Sequence, residues 1–389
     1  MTILLDEEDV RRLLPMEDCI RTVEEAFREL AAGRAVNAPR RDSFMATSRP
    51  DAYYSFKTIE GGLERWGVMA QRVNSDLVSH PTVEGIRRRV KVPAAPGNRY
   101  VGLVFLYRAE TLEPLAIMTD GHLQRMRVAA VTGIGISYLA RKDARTAALL
   151  GTGWQAETAA WAMVCTRPVS RIKVYSPNPE HRRRFVEKAA GELGREVVAV
   201  ESAREAVEGA DIVACATNAA EPLVSGEWVG AGTHLSCIRA HEFDEEAWAR
   251  SDVIVFSGPP ASSGYFTYGT KTFEEVHRVL ERETEREDLE NERFERYRDR
   301  IRFLADLVAG RVPGRTEAAQ VTLLNKNWGL GIEFAAVAHV VYQRARRPRG
   351  QDVPCRASGS RSSPTRSARR SDFLGPRSPV AGGFSPTRA

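Results

Sequence analysis

The clearest chemical signal in the sequence is a glycine-rich turn between an apolar run and a helix-like run. Gly151 permits a tight turn, Gly153 lets the backbone approach a diphosphate, and the small Ala156 allows a helix to pack closely on a strand. A helix that begins here directs N–H groups and the positive end of its dipole at an anion. The pattern predicts a dinucleotide site, and the alternative is a turn that binds no ligand. The turn reads Gly151, Thr152, Gly153, Trp154, Gln155, Ala156.

Ser176 stands at the end of the next predicted strand, where an NAD site usually has an acidic residue that binds the ribose 2′-hydroxyl. Without that carboxylate a 2′-phosphate meets no repulsion, and the helix that follows carries His181 and the three arginines Arg182 to Arg184. The pattern therefore favours NADP(H) over NAD(H). The alternative is that Ser176 caps a helix begun by Pro177 while the arginines face water.

These residues fall within a regular alternation of short apolar runs and helix-like segments that begins near Arg145. Such an alternation predicts an α/β fold with a doubly wound parallel sheet of the Rossmann type. Thr217 and Asn218 follow the fourth strand, where the ribose and nicotinamide of the cofactor are expected to pass. The predicted strands are Ala147–Leu150, Ile172–Tyr175, Val197–Val200, Ile212–Thr217, Thr233–Ile238 and Val253–Phe256, and the predicted helices are Glu157–Val164, Pro179–Leu193 and Ala203–Val207.

The first 130 residues mix helix and strand. Asp18–Ala31 has the apolar spacing of an amphipathic helix, and Tyr100–Tyr107 with Pro114–Met118 predicts a hairpin. Arg87–Arg99, which contains prolines and five basic residues, is expected to be a loop. The small residues of Leu123–Leu139 predict a helix that packs closely against another backbone.

The C-terminal part changes from charged helix to basic tail. Lys271–Leu307 predicts a long solvated helix with mixed charges, and Trp328–Arg346 a final amphipathic helix. Residues 347–389 contain nine arginines and two aspartates, a net charge of +7, so residues 1–346 carry −2 of the total of +5. A tail of this composition is expected to be disordered. Because the basic charge lies in the tail, we expect no nucleic-acid partner for the folded part.

Several classes of protein are excluded by pattern. The amino terminus is acidic after a short apolar run, which is unlike a secretory signal, and no run approaches the roughly 20 apolar residues of a membrane span. The histidines lack metal-ligand spacing, so we expect no metal. The cysteines form no C-x-x-C pair, which favours reduced thiols and a cytoplasmic protein. They are Cys19, Cys165, Cys215, Cys237 and Cys355.

Taken together, the motifs make the chain resemble the ornithine cyclodeaminase/mu-crystallin family. The resemblance covers roughly Met1 to Arg346, and it is the combination of motifs that is specific. The motifs are Asp120-Gly121, Leu123-x-x-x-Arg127-x-Ala129-Ala130, Gly151-x-Gly153-x-Gln155-Ala156, Ala210-Asp211-Ile212-Val213, Glu221-Pro222, Gly226-Glu227-Trp228, Gly232-Thr233-His234, Gly314-Arg315 and Gly329-x-Gly331-Ile332-Glu333.

The resemblance implies a homodimer with two domains in each chain. Residues 1–130 with 315–346 would form an α+β domain for substrate binding and dimerisation. Residues 131–314, including the charged helix 271–307, would form the NAD(P)-binding Rossmann domain, and 347–389 the tail. Family members act on small amino or imino acids at the carbon next to a carboxylate, and they use a nicotinamide cofactor.

The resemblance also implies roles for several basic residues. Arg127 matches the arginine that binds the substrate carboxylate, a role that suits a planar bidentate guanidinium. Arg41, or its neighbour Arg40, falls near the second carboxylate-binding arginine. Arg72 takes the position of the substrate-side lysine by spacing, and Lys57 is the competing candidate. For Arg72 and Lys57 a purely structural role is the alternative.

His241 stands where cyclodeaminases place an aspartate that handles the amine and its protons. This difference speaks against ornithine-specific chemistry. The histidine can serve as a proton donor near neutral pH, or it can be an exposed loop residue.

The sequence therefore predicts an NAD(P)-dependent oxidoreductase that reduces a small imino acid or dehydrogenates a small amino acid. Arg127 and a second cation would hold the carboxylate, and His241 or Lys57 would donate the proton. Two alternatives remain, a redox-neutral cyclodeaminase and a non-catalytic NADP(H)-binding protein of the crystallin type.

Overall fold

Two large β-sheets organise the chain in the computed structural model. The structure describes residues 1–49, 51–83, 86–92, 101–259, 264–267, 288–326 and 329–347. Residues 348–389 of the predicted tail and 271–287 of the predicted charged helix lie outside the described residues. Among the described residues the sheets have nine and eight strands, and a two-stranded ribbon accompanies them.

The nine-stranded sheet is mixed and is built mainly from the first 119 residues. Its long strands β4 and β5 pair antiparallel, with Ile59 opposite Arg72 and Lys57 opposite Asn74. Side chains alternate between the two faces of each strand, so all four of these residues lie on one face. The strands of the sheet and ribbon are β1 (Ile3–Leu5), β2 (Ala35–Asn37), β3 (Arg41–Ala46), β4 (Ala52–Leu63), β5 (Val68–Ser79), β6 (Thr82–Val83), β7 (Ile86–Arg87), β8 (Val90–Val92), β9 (Val101–Arg108), β10 (Pro114–Thr119) and β17 (Gly264–Thr267).

Two predictions for this region can be compared with the sheet. The hairpin is confirmed, because β9 and β10 pair antiparallel around the turn at Leu112. The loop predicted for Arg87–Arg99 is wrong in part, because Val90–Val92 pairs antiparallel with β5. The short Val-Lys-Val run can complete a ladder even though prolines follow it.

Four helices fill the core beside the mixed sheet. Asp6 caps the first helix by accepting the N–H groups of Glu8 and Asp9. The third helix is buried around most of its circumference, and its small residues let Ile20 and Leu324 approach closely. The helices are α1 (Glu7–Leu13), α2 (Met16–Ala31), α3 (Gly121–Leu139) and α10 (Gly331–Ala345).

The eight-stranded sheet is parallel and confirms the doubly wound prediction. Its strand order is β13-β12-β11-β14-β15-β19-β16-β18. The strands β12 and β13 are added on one side of β11 and the later strands on the other side, so the order in which strands are added reverses at β11. The strands are β11 (Thr146–Leu150), β12 (Arg171–Tyr175), β13 (Glu196–Ala199), β14 (Ile212–Cys215), β15 (His234–Cys237), β16 (Val253–Phe256), β18 (Ile301–Phe303) and β19 (Thr322–Asn325). The helices are α4 (Trp154–Thr166), α5 (Pro179–Leu193), α6 (Ala203–Val207), α7 (Glu245–Arg250), α8 (described over 288–296) and α9 (Leu304–Val308).

Two segments differ from the sequence prediction. The predicted helix 271–307 is wrong at its end, because Ile301–Phe303 pairs in parallel with β16 and forms the edge of the sheet. A short apolar run fits a strand as well as a helix, so spacing alone could not separate them. The boundary at residue 315 is also wrong, because Thr322–Asn325 lies between β15 and β16 in the parallel sheet. The rest of the domain division stays a prediction.

Candidate active site

A cleft of about 1020 Å³ lies between the carboxyl ends of the parallel strands and one face of the mixed sheet. Ligands of open α/β sheets bind in such a crevice, beside the strand where the order reverses. Here that strand is β11, and the glycine-rich turn follows it directly. The same cleft is lined by the predicted residues Lys57, Arg72, Arg127, Gly151, Thr152, Gly153, Gln155, Ser176, Thr217, Asn218 and His241.

The glycine-rich turn has the geometry that a dinucleotide diphosphate needs. Gly151 has a φ of +109°, and a Cβ there would lie 2.5 Å from the carbonyl oxygen of Ala216. Gly153 is the N-cap of α4, and a Cβ there would meet no described atom within 4 Å, so the backbone borders open space. Ala156 is buried between helix and sheet. The Oε1 atom of Gln155 is buried with no hydrogen-bond partner in the described part of the chain, and a ligand can supply one. These residues fit a nicotinamide dinucleotide.

Ser176 lines the cleft, whereas its neighbour Arg182 does not. Arg182 is buried and does not line the cleft; its Nη1 donates to the Ser176 carbonyl at 2.6 Å and its Nη2 to Glu201 at 2.5 Å. Arg182 therefore has a structural role and does not face the cofactor site, contrary to the prediction. Arg184 does line the cleft. The capping alternative for Ser176 is wrong, because Asn178 caps α5.

Thr217 is held by a buried acid that the sequence analysis missed. The N–H and Oγ1 of Thr217 donate to Oε1 of Glu242 at 3.2 and 2.6 Å. The other oxygen of Glu242 accepts the N–H groups of Ile238 and Arg239. Glu242 thus fixes the two loops that follow β14 and β15, and Asn218 lies in the first of them.

Arg127 lies on α3 and faces the cleft from a buried position. Its Nη1 donates to Oε2 of Glu333 at 2.7 Å, and its Nη2 to Oε1 of Gln124 at 2.9 Å. The ring of Phe334 lies 4.8 Å from the guanidinium carbon. Burial lowers the pKa of Arg127 and raises the pKa of Glu333. Each terminal nitrogen has one acceptor among the described residues and keeps a second N–H for a ligand.

Arg72 and Lys57 reach the cleft from adjacent strands. Arg72 forms a buried ion pair with Asp120, with Nη2 at 2.7 Å from Oδ2, and its guanidinium carbon lies 5.4 Å from the Phe334 ring. The Nζ atom of Lys57 lies 3.9 Å from Oδ2 of Asp42. Burial, and then the charge of Arg89, lowers the pKa of Lys57 well below its usual range.

Arg41 does not reach the cleft, so that prediction is wrong. Its side chain is exposed, whereas Arg40 lines the cleft and donates from Nη2 to Oδ2 of Asp42 at 2.8 Å. Neighbouring residues of an extended chain point to opposite faces. Counting along the chain does not fix which of two adjacent arginines faces inward, so the sequence offers Arg40 only as the neighbour of Arg41.

His241 is half-buried at the edge of the cleft. Its Nε2 lies 2.9 Å from the carbonyl oxygen of Ala219. Since a carbonyl only accepts, the ring donates its Nε2 proton to the backbone. This contact restrains the loop and weakens the prediction that His241 donates a proton to a substrate.

Two lysines of the cleft were missed by the sequence analysis. Lys326 follows β19 and is buried, and its Nζ donates to Thr132 Oγ1 at 2.8 Å and to Ser236 Oγ at 2.9 Å. Burial lowers the pKa of Lys326. Lys91 lies in the segment predicted as a loop, and burial lowers its pKa to about 8. No sequence motif marks Lys326, which follows Asn325 at the end of β19.

The described residues contain no group of three or more histidine, cysteine or acidic side chains that could hold a metal ion. In the same part of the chain, none of the helices has the length and apolar character needed to cross a membrane.

The sheet order and the glycine-rich cleft define a Rossmann-type, dinucleotide-binding fold. The sequence profile of the ornithine cyclodeaminase/mu-crystallin family matches residues 1–348, and the chain belongs to that family.

Several relatives match nearly their whole length. Alanine dehydrogenase of Archaeoglobus fulgidus is 25% identical over 354 residues, which cover 88% of this chain and 95% of the relative. Delta(1)-pyrroline-2-carboxylate reductase of Bacillus cereus is 24% identical over 350 residues, 88% of this chain and 96% of the relative. The solved structure of Thermococcus litoralis Delta(1)-pyrroline-2-carboxylate reductase, in complex with NADH and L-proline, has a TM-score of 0.69 and 28% identity. The match covers 88% of this chain and 97% of the Thermococcus litoralis chain.

Proposed function

We propose that the protein reduces a small imino acid to an amino acid, or catalyses the reverse dehydrogenation, with a nicotinamide cofactor. One observation carries this proposal: Arg127 and Arg72, two buried guanidinium groups, line the same cleft as the glycine-rich turn after β11. A carboxylate held by those arginines lies within one cavity with the cofactor. The relatives named as pyrroline-2-carboxylate reductases and alanine dehydrogenase support the substrate class.

Each side chain has a role in this reaction. Arg127 binds the substrate carboxylate through the N–H groups not taken by Glu333 and Gln124. Arg72, whose guanidinium carbon also lies near the Phe334 ring, is the second cation. A bound reduced nicotinamide supplies a hydride to the α-carbon. The C=N double bond becomes a single bond, and the nitrogen takes one proton. We assign that proton to Lys326, since burial makes its ammonium group more acidic and it lies at the end of β19 in the cleft.

The cofactor in the proposal is NADP(H). Ser176 puts no carboxylate at the end of β12, and Arg184 lines that end of the cleft. A 2′-phosphate is therefore favoured by charge, although the solved Thermococcus litoralis reductase holds NADH.

A homodimer is also part of the proposal. Val36, Met45 and Phe56 are 56%, 50% and 36% exposed on neighbouring strands, and the registers of β2, β3 and β4 put all three on one face. An exposed apolar face of this kind suits a second copy of the chain. Light scattering should give twice the chain mass of 43.2 kDa, and a monomer would contradict this part.

The reaction is tested by mixing the purified protein with NADPH or NADH and a panel of substrates. The panel contains cyclic imines that carry a carboxylate, 2-oxo acids with ammonia or amines, and ornithine. Loss of reduced nicotinamide absorbance with an imine supports the proposal. Ornithine conversion without net change in the cofactor would identify a cyclodeaminase instead. Cofactor binding with no turnover on any substrate would identify a non-catalytic binding protein.

A further inference from the structure

The cleft continues past Arg72 along the face of the mixed sheet. Asn74 lies two positions further on β5, with Lys57 opposite it on β4. Lys91 comes from β8 on the other side of β5, and its Nζ lies 3.2 Å from Asn74 Oδ1 and 2.5 Å from Asp76 Oδ2. Lys57, Asn74 and Lys91 all line the cleft, and we call them the distal cluster.

The side chains around this end of the cleft carry more positive charge than one carboxylate needs. A single carboxylate is satisfied by one bidentate guanidinium and a second cation, the part given above to Arg127 and Arg72. The distal cluster adds two lysines to this part of the cleft. Lys91 is paired with Asp76, and Lys57 shares Asp42 with Arg40. Asp42 and Asp76, the acids nearest to them, are fully buried and do not line the cleft, so the surface that a ligand meets is basic.

The position of the distal cluster sets the size of the ligand. Arg72 and Asn74 are two residues apart on one face of a strand, a separation of about 7 Å at the usual rise per residue. A chain of two or three methylene groups spans that gap between two acidic groups. Burial and the positive charges of Arg89, Lys91 and Arg40 lower the pKa of Lys57, so an anion bound among them would favour its charged form.

We propose that the distal cluster binds a second acidic group of the substrate, so that the substrate is an amino or imino acid with two anionic groups. The second group is a carboxylate or a phosphate-type acid, and both share the chemistry that two lysines and an amide recognise. This inference rests on the proposed function for the placement of the first carboxylate at Arg127 and Arg72.

Binding of unreactive acids tests the distal cluster without requiring turnover. Titration calorimetry with NADP⁺ present compares glutarate with butyrate, which has the same chain without the second acid, and adds 3-phosphonopropionate as a third ligand. We expect glutarate or the phosphonate to bind at least tenfold more tightly than butyrate. Whichever of the two binds better identifies the source of the second anion. Equal affinities for all three acids would overturn the inference.

Substitutions test whether the distal cluster causes the preference for a second acidic group. Lys91→Gln should reduce the preference for the second acid at least tenfold, whereas Lys142→Gln, which removes the same charge from an exposed position, should leave the preference unchanged. If Lys91→Gln fails to fold because Asp76 loses its partner, the double variant Lys91→Gln/Asp76→Asn removes both charges and serves instead. A normal acid preference combined with tenfold weaker NADP⁺ binding would assign the lysine to the cofactor and overturn the inference.

The two proposals fail in different ways. A protein that prefers glutarate but reduces no imine contradicts the proposed reaction and leaves the distal cluster standing. A protein that reduces monocarboxylic imines and shows no preference for a second acid contradicts the distal cluster alone.

Discussion

The Nη1 atom of Arg127 lies 2.7 Å from Oε2 of Glu333, across a separation of 206 residues in the sequence. Both side chains are buried, one on α3 and the other in the first turn of α10. The pair therefore joins the last helix to the wall of the cleft. It holds the guanidinium in one orientation before a substrate binds, which is the condition for bidentate recognition of a carboxylate.

Replacing Arg127 by lysine should separate binding geometry from charge. Arg127→Lys keeps a cation beside Glu333 but loses the planar fork, so we expect kcat/KM for a carboxylate substrate to fall at least 100-fold. Steady-state kinetics measure the effect, and circular dichroism confirms that the fold is retained. Arg171→Lys, on an exposed strand position, is the matched control. Unchanged kcat/KM in Arg127→Lys would remove this residue from the carboxylate site.

Six of the eight described strands of the parallel sheet could be predicted, because each of them is a short apolar run bounded by turn residues. The fold and the glycine-rich turn follow from that local pattern. Ile301–Phe303 could not be predicted, because it lies in a charged segment and becomes a strand only through its pairing with β16. Thr322–Asn325 is equally dependent on tertiary context, because its neighbours β15 and β16 are distant in sequence.

The candidate site was predicted less completely than the fold. Arg127, Arg72 and Lys57 carry a sequence signal and do line one cleft. The choice between Arg40 and Arg41 depends on which of the two side chains points into the cleft. Arg182 is turned away from the cleft by its contact with Glu201, and the sequence does not show that contact. Lys326 has no motif, since its position at the cleft follows only from the insertion of β19 into the sheet.

A second prediction concerns the contact between α10 and β4. A Cβ on Gly331 would lie 1.8 Å from the carbonyl oxygen of Glu60, so the helix and strand would have to separate. We expect Gly331→Ala to lower the free energy of unfolding by about 3 kcal/mol or more, measured in urea. Gly191→Ala is the control, because it is in α5 with no atom within 4 Å of the added Cβ, and it should be neutral or slightly stabilising. Equal stability of the two variants would contradict the close packing.

The third prediction tests cofactor preference at Ser176. Ser176→Asp adds a carboxylate that binds ribose hydroxyls and repels a 2′-phosphate. The ratio of kcat/KM for NADPH to that for NADH should fall at least tenfold. Ser202→Asp adds the same charge at the N-terminus of α6, away from the cleft, and should leave the ratio unchanged. A wild-type enzyme that already prefers NADH, or an unchanged ratio in Ser176→Asp, would contradict the NADP(H) assignment.

Lys326 provides the fourth prediction. Lys326→Met should lower kcat at least 100-fold with a smaller change in KM, because the side chain acts on the reacting nitrogen and not on the carboxylate. In the wild-type protein, kcat for imine reduction should decrease as pH rises through the depressed pKa of Lys326, since only the ammonium form can donate a proton. A KM effect alone, or a pH profile shared by wild type and Lys326→Met, would assign Lys326 to structure.

The fifth prediction concerns buried His122, which makes the free energy of unfolding depend on pH. Burial lowers the pKa of His122 to about 3, and its Nδ1 accepts a hydrogen bond from Nε of Arg125 at 3.1 Å. The unfolded chain takes up this proton near the ordinary histidine pKa of 6.5. Between these two values the unfolded state binds more protons, so the stabilisation is complete above pH 6.5 and is lost as the pH falls toward 3.

The measurement is the free energy of unfolding in urea at pH 7 and at pH 5. His122→Gln keeps an acceptor for Arg125 but cannot titrate, so its loss of stability between the two pH values should be smaller than that of wild type by up to about 2 kcal/mol. His181→Gln, at an exposed position, should lose as much stability as wild type. If His122→Gln and wild type lose the same stability, His122 is protonated as easily in the folded state as in the unfolded chain, and the neutral buried ring assigned here is wrong.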